Sequence, residues 1–281
     1  TAPTDAYPWM VAVMDAYDFK TTTGQYCGGV LISPNMVLTA AACFITNNPN
    51  SAVVAVGTSN LLSVTVADQI SVAEVIIHPD YSIADPAQYN NLAILRLERD
   101  VDNPTLAIID STKFAMLQTG QGMTVMGWGH NDDRIGEAVY LQEAELPLVS
   151  NDVCTTAINS LSGEKLAENE FCAGSPLMKK SVCYGDSGGP VITFVGGKPV
   201  LTGIVSRFIT FGPAATFGCG GPDNYNIFSK VSSHTTWIQS VVDRHYIDSD
   251  LGLLHSGVSQ SLEWGAGIAN MSNLAITIST L

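Results

Sequence analysis

The sequence predicts an all-β protein with one late helix. Short segments rich in Val and Ile are separated by turns that contain Gly, Pro, Asn and Asp, which is typical of strands joined by hairpins and loops. Helical periodicity is weak until 232–245, where Trp237, Val241 and Val242 recur at helical spacing. With 281 residues and 46% hydrophobic residues, the chain can build one large β domain or two small ones.

The predicted elements follow one another along most of the chain. Ser232 and Ser233 are candidate caps of the late helix. Beyond it, alternation at 258–264 and 274–278 predicts a β-like C-terminal extension, either a hairpin or the start of a further β module. In chain order, the predicted strands are 8–14, 28–33, 36–40, 52–57, 64–66, 72–77, 92–97, 124–127, 141–148, 190–194 and 200–205.

The charge balance narrows the class of partner. The net charge is −14 and the pI is near 4.5, which argues against nucleic acid and anionic membrane surfaces, because both attract Lys and Arg patches. No apolar run is long enough to span a membrane. No secretory leader is visible at Thr1, so we expect a mature or trimmed form. These features favour a soluble secreted protein with a protein partner.

The six cysteines are spread along the chain, and none forms a CxxC pair or a zinc-spaced cluster. Their even number predicts three disulfides and an oxidising compartment. The alternative is six buried thiols in a cytosolic protein. The cysteines are Cys27, Cys43, Cys154, Cys172, Cys183 and Cys219.

Residues 183–190 read Cys-Tyr-Gly-Asp-Ser-Gly-Gly-Pro and contain the strongest motif in the chain. This segment resembles the nucleophile loop of the trypsin/chymotrypsin family of serine proteases, with Ser187 as the nucleophile. Further segments resemble family motifs in the same order, and together they cover 8–245. They are Pro-Trp-Met-Val at 8–11, Cys-Gly-Gly at 27–29, His-Pro-Asp-Tyr at 78–81, Gly-Trp-Gly at 127–129 and Lys-Val at 230–231.

The resemblance implies a chymotrypsin-like fold of two six-stranded antiparallel β-barrels with a cleft between them. The implied domain covers 1–245, with barrels at about 8–110 and 111–231 and the terminal helix at about 232–245. Residues 246–281 form the C-terminal extension. The resemblance also implies disulfide pairs, which use every cysteine. They are Cys27–Cys43, Cys154–Cys172 and Cys183–Cys219.

Two residues of the family's catalytic triad are missing. The family has histidine in its Leu-Thr-Ala-Ala-His-Cys segment, where this chain has Ala42, and aspartate in its Asn-Asp segment, where it has Asn91. Alanine can neither accept the serine proton nor donate one to a leaving amine. An amide at Asn91 would favour the wrong tautomer of a restored histidine. We therefore expect a serine without a general base.

The remaining histidines are expected to be surface or packing residues. They are His78, His130, His234, His245 and His255. The oxyanion hole would come from the N–H groups of Gly185 and Ser187, with Asp186 between them. In the family a new N-terminal ammonium pairs with this aspartate. Either that terminus was cleaved away, or it lies outside this sequence, or the loop stays zymogen-like, so Asp186 should be exposed, protonated or otherwise paired.

The primary specificity pocket also departs from the family pattern. Its floor is Ser181, as in the chymotrypsin subgroup, and its wall reads Ser206-Arg207-Phe208 in place of Ser-Trp-Gly. We expect Phe208 to occlude the pocket, the alternative being a loop shift that swings it outward. Asn226 stands at a second position where the family has glycine. It belongs to the opposite wall.

No cofactor or metal is expected. The calcium loop of some relatives uses two glutamates, where this chain has Thr58 and Asp68, and one carboxylate is too few for a calcium site.

Three functions fit these observations. The first is a secreted, non-catalytic protease homologue that acts by protein binding or regulation. The second is a serine endopeptidase inactivated by substitution at Ala42 and Asn91. The third is a structural subunit of an extracellular assembly, docked through the C-terminal extension.

Overall fold

The fold is that of a computed structural model, which describes residues 1–17, 23–45, 47–85, 89–130, 138–163, 165–175, 180–209, 219 and 225–250. Two closed antiparallel barrels of six strands each are followed by a helix. The expected two-barrel fold is therefore confirmed.

The first barrel is built from short strands rich in Val, Ile and Leu. Its strand order is β1-β2-β3-β6-β5-β4, and it closes where β4 pairs with β1. Met10 to Val13 of β1 are fully buried, which fits a strand that packs on both faces. The strands are β1 (Met10–Asp15), β2 (Gln25–Ser33), β3 (Met36–Thr39), β4 (Ala52–Val56), β5 (Ile70–Ile77) and β6 (Ala93–Leu97).

The second barrel has the order β10-β11-β12-β9-β8-β7. Three phenylalanines meet in its core: Phe171 lies 5.3 Å from Phe114 and 5.2 Å from Phe228, measured between ring centroids. The strands are β7 (Gly122–Gly127), β8 (Gln142–Val149), β9 (Glu170–Gly174), β10 (Pro190–Val195), β11 (Lys198–Ile209) and β12 (Tyr225–Lys230).

The described residues include three α-helices in addition to the barrel strands. Helix α1 (Ser111–Ala115) follows the capping side chain of Asp110, and α2 (Asn151–Ser162) follows that of Ser150. Gly163 ends α2 with a φ of 73°, a left-handed conformation that glycine adopts without strain. Helix α3 (Thr235–Asp250) is the expected late helix.

Several sequence predictions were wrong. The segment 64–66 is not a strand; it follows the 3-10 turn Leu61–Ser63 and overlaps the next one, Val66–Asp68. Strands β9 and β12 and helix α2 were not predicted, because their short apolar runs are interrupted by polar residues. Ser232 and Ser233 do not cap α3, since they lie in a 3-10 turn. Helix α3 runs on to Asp250, so residues 246–250 of the expected extension at 246–281 are helical, and the β-like segments expected at 258–264 and 274–278 lie outside the described residues.

The two barrels share one apolar core at their junction. Trp128, Ile192 and Ile204 of the second barrel belong to the same buried cluster as the core of the first. All three expected disulfides are confirmed: Cys27–Cys43, Cys154–Cys172 and Cys183–Cys219. Among the described helices, none is both long and apolar enough to cross a membrane.

Candidate active site

The serine loop lies between the disulfide-bonded Cys183 and strand β10. Gly185 and Gly188 have φ values of 94° and 82°, in the left-handed region that favours glycine. A Cβ atom on Gly188 would lie 2.2 Å from Thr39 Oγ1, so this position also lacks room for a side chain. The loop is thus bent sharply, and Ser187 within it is partly exposed.

Asp186 is held between two backbone N–H groups. Its Oδ1 accepts a hydrogen bond from Gly129 and its Oδ2 one from Cys183, each at 2.8 Å. Gly127 and Gly129 leave room for the carboxylate, because a Cβ on either would lie within 2.6 Å of it. Desolvation raises the pKa of Asp186 to about 6, although both backbone hydrogen bonds and nearby His130 oppose the shift. Asp186 was expected to be exposed, protonated or otherwise paired. In the structure its carboxylate is paired, through hydrogen bonds from two backbone N–H groups.

The residues at the two vacated triad positions, Ala42 and Asn91, are hydrogen-bonded to each other. Ala42 lies in the 3-10 turn Ala41–Phe44 after β3, and Asn91 lies fully buried just before β6. Asn91 Oδ1 accepts a hydrogen bond from the Ala42 N–H at 2.9 Å, and Asn91 Nδ2 donates to Ser206 Oγ at 3.0 Å. Both ends of the amide are therefore occupied, and this neutral group leaves no buried charge at the site.

No side-chain base touches the serine within the described part of the chain, where the Ser187 hydroxyl makes no hydrogen bond. His78 and His234 pack together instead, 5.2 Å apart between ring centroids, and burial lowers the pKa of each. The ring of His130 packs against that of Tyr184, with 6.2 Å between the ring centroids.

The other two histidines lie in the C-terminal part of the chain. His245 is in α3. His255 is outside the described residues.

At the expected specificity pocket, the wall residue Asn226 is hydrogen-bonded to the floor residue Ser181. Asn226 is fully buried, and its Oδ1 accepts hydrogen bonds from Ser181 Oγ at 2.8 Å and from the Val182 N–H at 3.0 Å. Its Nδ2 donates to the carbonyl of Ala173 at 3.2 Å. Asn226 thus spans the space between its own strand and the floor residue Ser181, where a glycine would leave a gap.

The wall of the pocket carries a buried ion pair that the sequence analysis missed. Arg207 makes two hydrogen bonds to Glu170, one between Nη2 and Oε2 at 3.3 Å and a shorter one between Nη1 and Oε1. The Glu170 side chain is 2% exposed and that of Arg207 is 16% exposed. Because β12 lies between β11 and β9, the pair reaches across one strand. Glu170 begins an unpredicted strand, so its partner could not be inferred.

The expected occlusion by Phe208 stays a prediction. Its backbone pairs with Asn226 in the β11–β12 ladder. Its side chain is outside the described part of the structure.

The oxyanion-hole donors Gly185 and Ser187 are supported from the first barrel. Gln25 Nε2 donates to the Gly185 carbonyl at 2.8 Å, and the Gly28 N–H donates to the Ser187 carbonyl at 2.8 Å. Gln25 is 2% exposed. The sequence analysis missed Gln25 because it placed the start of β2 at Gly28.

The expectation of no metal also stays a prediction. Asp68 Oδ2 accepts hydrogen bonds from the N–H and Oγ1 of Thr65, which lowers the pKa of this carboxyl. Thr58 Oγ1 donates to the carbonyl of Asn60. Over the described ranges, no group of three or more His, Cys, Asp or Glu side chains is placed to hold a metal ion.

Comparison with known proteins gives the family. The trypsin family model matches residues 1–238. Vitamin K-dependent protein C of Mus musculus is 30% identical over 246 residues, which are 84% of this chain and 49% of that protein. The protein of the same name from Oryctolagus cuniculus is 30% identical over 248 residues, 84% of this chain and 50% of that protein.

A further relative, serine protease filzig of Drosophila melanogaster, is 32% identical over 247 residues, 84% of this chain and 14% of that protein. This chain therefore spans about half the length of the two protein C relatives and a small part of filzig. The two barrels, the serine loop and the family match together identify the chain as a member of the trypsin family.

Proposed function

We propose that this chain is a secreted, non-catalytic serine protease homologue that acts by binding or regulating another protein. The observation that carries the proposal is the pair of vacated positions. Ala42 has no ionisable group, and the buried amide of Asn91 is already bonded to Ala42 and Ser206. A serine hydroxyl is a weak nucleophile at neutral pH unless a base accepts its proton.

The expected loss of rate is large. In proteases with this triad, the oxyanion hole and substrate binding alone leave about 10³–10⁴-fold acceleration over water, whereas the triad adds about 10⁶-fold. The hydrogen bonds from Ser181 and Val182 to Asn226 also support a closed floor in the expected pocket for a substrate side chain. Binding without turnover is the function that such a cleft retains.

Secretion is supported by the three disulfides, which form and persist in oxidising compartments. The net charge of −14 disfavours nucleic acid, which leaves a protein as the partner. We keep the division into a protease-like domain at 1–245 and an extension at 246–281 as part of this proposal. The alternative role as a structural subunit depends on that extension.

The second candidate function is a serine endopeptidase inactivated at two positions. It is favoured by the intact Ser187, by the glycines that shape its loop and by the similarity to serine protease filzig. Under this hypothesis, the rest of the site would be ready for catalysis once the base and its carboxylate return.

Labelling by a fluorophosphonate tests both candidates. The chain as it stands would be compared with the double variant Ala42→His/Asn91→Asp, and Ser187→Ala would serve as the unlabelled control. We expect no labelling of the unmodified chain, since no base activates Ser187. Labelling of that chain would overturn the proposal. Strong labelling and peptide cleavage by the double variant would favour the inactivated endopeptidase.

A further inference from the structure

We propose that the oxyanion hole of this chain binds the terminal carboxylate of a peptide. The inference deepens the proposed function, on which it rests, because a site that binds a chain end needs no nucleophilic attack. It assigns a ligand chemistry to a site whose catalytic partners are gone. The contacts around Gly185 and Ser187 carry it.

The first observation is that two N–H donors of the serine loop have no acceptor among the described residues. In the part of the chain that the structure describes, the N–H groups of Gly185 and Ser187 donate to no protein acceptor, whereas those of Asp186, Gly188 and Gly189 each donate to a backbone carbonyl. A partly buried N–H group without an acceptor is costly, so a ligand oxygen or water is expected there.

The second observation is that the loop is fixed with these donors free. Gln25 and Gly28 of β2 bind the carbonyls of Gly185 and Ser187, as described above. Asp186 is bonded to Gly129 and Cys183 on the other side of the loop. Gln25 Oε1 is buried and has no hydrogen-bond partner among the described residues, which costs free energy. The side chain nevertheless holds the loop through its Nε2. The hole is therefore preorganised before any ligand arrives.

The third observation concerns the serine itself. In an intact triad the hydroxyl donates to an imidazole, but Ala42 offers no acceptor. The Ser187 hydroxyl is therefore available as a third donor, and both Ser187 and Ala42 are partly exposed. Two N–H groups and one O–H group match the two oxygens of a carboxylate better than the single oxygen of an internal peptide carbonyl.

The charge of the ligand adds to this match. Hydrogen bonds to an ionised acceptor are roughly twice as strong as neutral ones, so a carboxylate gains more from the same donors than an amide. The filled pocket adds a size limit, because Asn226 occupies the space next to Ser181. We expect a small residue, such as alanine or glycine, at the end of the bound chain.

The test compares two tripeptides by calorimetric titration. One is N-acetyl-Ala-Ala-Ala with a free carboxylate, and the other is the same peptide with a C-terminal amide. We expect the acid to bind at least about tenfold more tightly, which is the ratio given by about 1.4 kcal/mol. Equal affinities, or no binding of the acid, would overturn the inference.

Variants locate the binding site. Gln25→Leu removes the hydrogen bond to the Gly185 carbonyl and should reduce the preference for the acid at least about fivefold, a loss comparable with one hydrogen bond. Gln121→Leu is the matched control, since the amide of this partly buried glutamine donates to Thr193 in the second barrel. The same loss in both variants would place the carboxylate elsewhere.

A measurement on the unmodified chain avoids any folding defect in the variants. The amide proton resonances of Gly185 and Ser187 should move downfield on titration with the acid and stay nearly fixed with the amide peptide. Unchanged resonances would overturn the inference while leaving the proposed function intact. Cleavage of a peptide by the unmodified chain would instead overturn the proposed function.

Discussion

Removal of one partner of the Arg207–Glu170 pair gives a sharp prediction about stability. Arg207→Met would leave the Glu170 carboxylate, which is 2% exposed, with one donor among the described residues, the Ala167 N–H at 3.1 Å from its Oε2. Breaking a buried pair in this way typically costs about 3–5 kcal/mol, because one charge stays in a low-dielectric environment without a counter-ion. We expect the free energy of unfolding to fall by this amount at pH 7.

The double variant Arg207→Met/Glu170→Met separates the charge from the packing. Replacing both partners by apolar side chains removes the buried charge, so we expect a total cost of no more than about 2 kcal/mol, chiefly from the lost acceptor of Ala167. The coupling energy between the two positions should therefore exceed about 1 kcal/mol. Urea unfolding of the oxidised chain, followed by tryptophan fluorescence, measures all of these values.

The matched control is the exposed pair Arg96–Glu74, which has side chains 30% and 46% exposed and a separation of 3.2 Å. Arg96→Met should cost less than about 1 kcal/mol, because solvent screens the pair. A cost for Arg207→Met no larger than that of Arg96→Met would refute the reasoning. So would a double variant whose cost equals the sum of the two single ones.

Three further predictions address the site and its supports. The pKa of Asp186 is about 6 in the folded chain against a usual 3.8, so its stabilising contribution is complete below pH 3.8 and is lost as the pH rises through about 6. Relative to Asp186→Asn, the unmodified chain should lose about 2.4 kcal/mol of unfolding free energy between pH 4 and pH 7, and a constant difference would contradict this. Asn226→Ala should cost about 1–3 kcal/mol in urea unfolding, because Ser181 and the Val182 N–H lose their acceptor, and a change below about 0.5 kcal/mol would argue against that network. Replacing Cys27 and Cys43 by alanine opens a loop with a sequence separation of 16 and should cost about 3 kcal/mol relative to the oxidised parent chain, whereas reduction of the parent, which opens all three disulfides, should cost at least as much.

The sequence was sufficient to predict the parts of the fold that depend on local pattern. Alternating and apolar runs marked most strands of both barrels, and the resemblance supplied the pairing of the cysteines. Strands β9 and β12 were missed because each is short and carries polar residues at buried positions, such as Glu170 and Asn226. Glu170 is tolerated there because it pairs with Arg207 of β11, and Asn226 because it donates to the Ala173 carbonyl of β9. The sequence of a single strand does not reveal such partners on other strands.

The candidate site was predictable in its identities but not in its contacts. Ser187, Ala42 and Asn91 could be located by motif, since each stands at a fixed place in a recognisable segment. The support of the serine loop by Gln25 could not, because the two groups are separated by 160 residues and meet only after both barrels have formed. The hydrogen bonds of Asn226 were missed because its partners Ser181 and Ala173 lie 45 and 53 residues away along the chain.

The contacts from β2 to the serine loop have a consequence for how the site can be assembled. Each barrel has its own ladder of strands, but the hole exists only where Gln25 and Gly28 meet the carbonyls of Gly185 and Ser187. A chain divided in the connection between β6 and β7 would yield two fragments, neither of which could hold these donors in place. If ligand binding returned when the two halves were mixed, that binding would measure directly how well the two barrels dock.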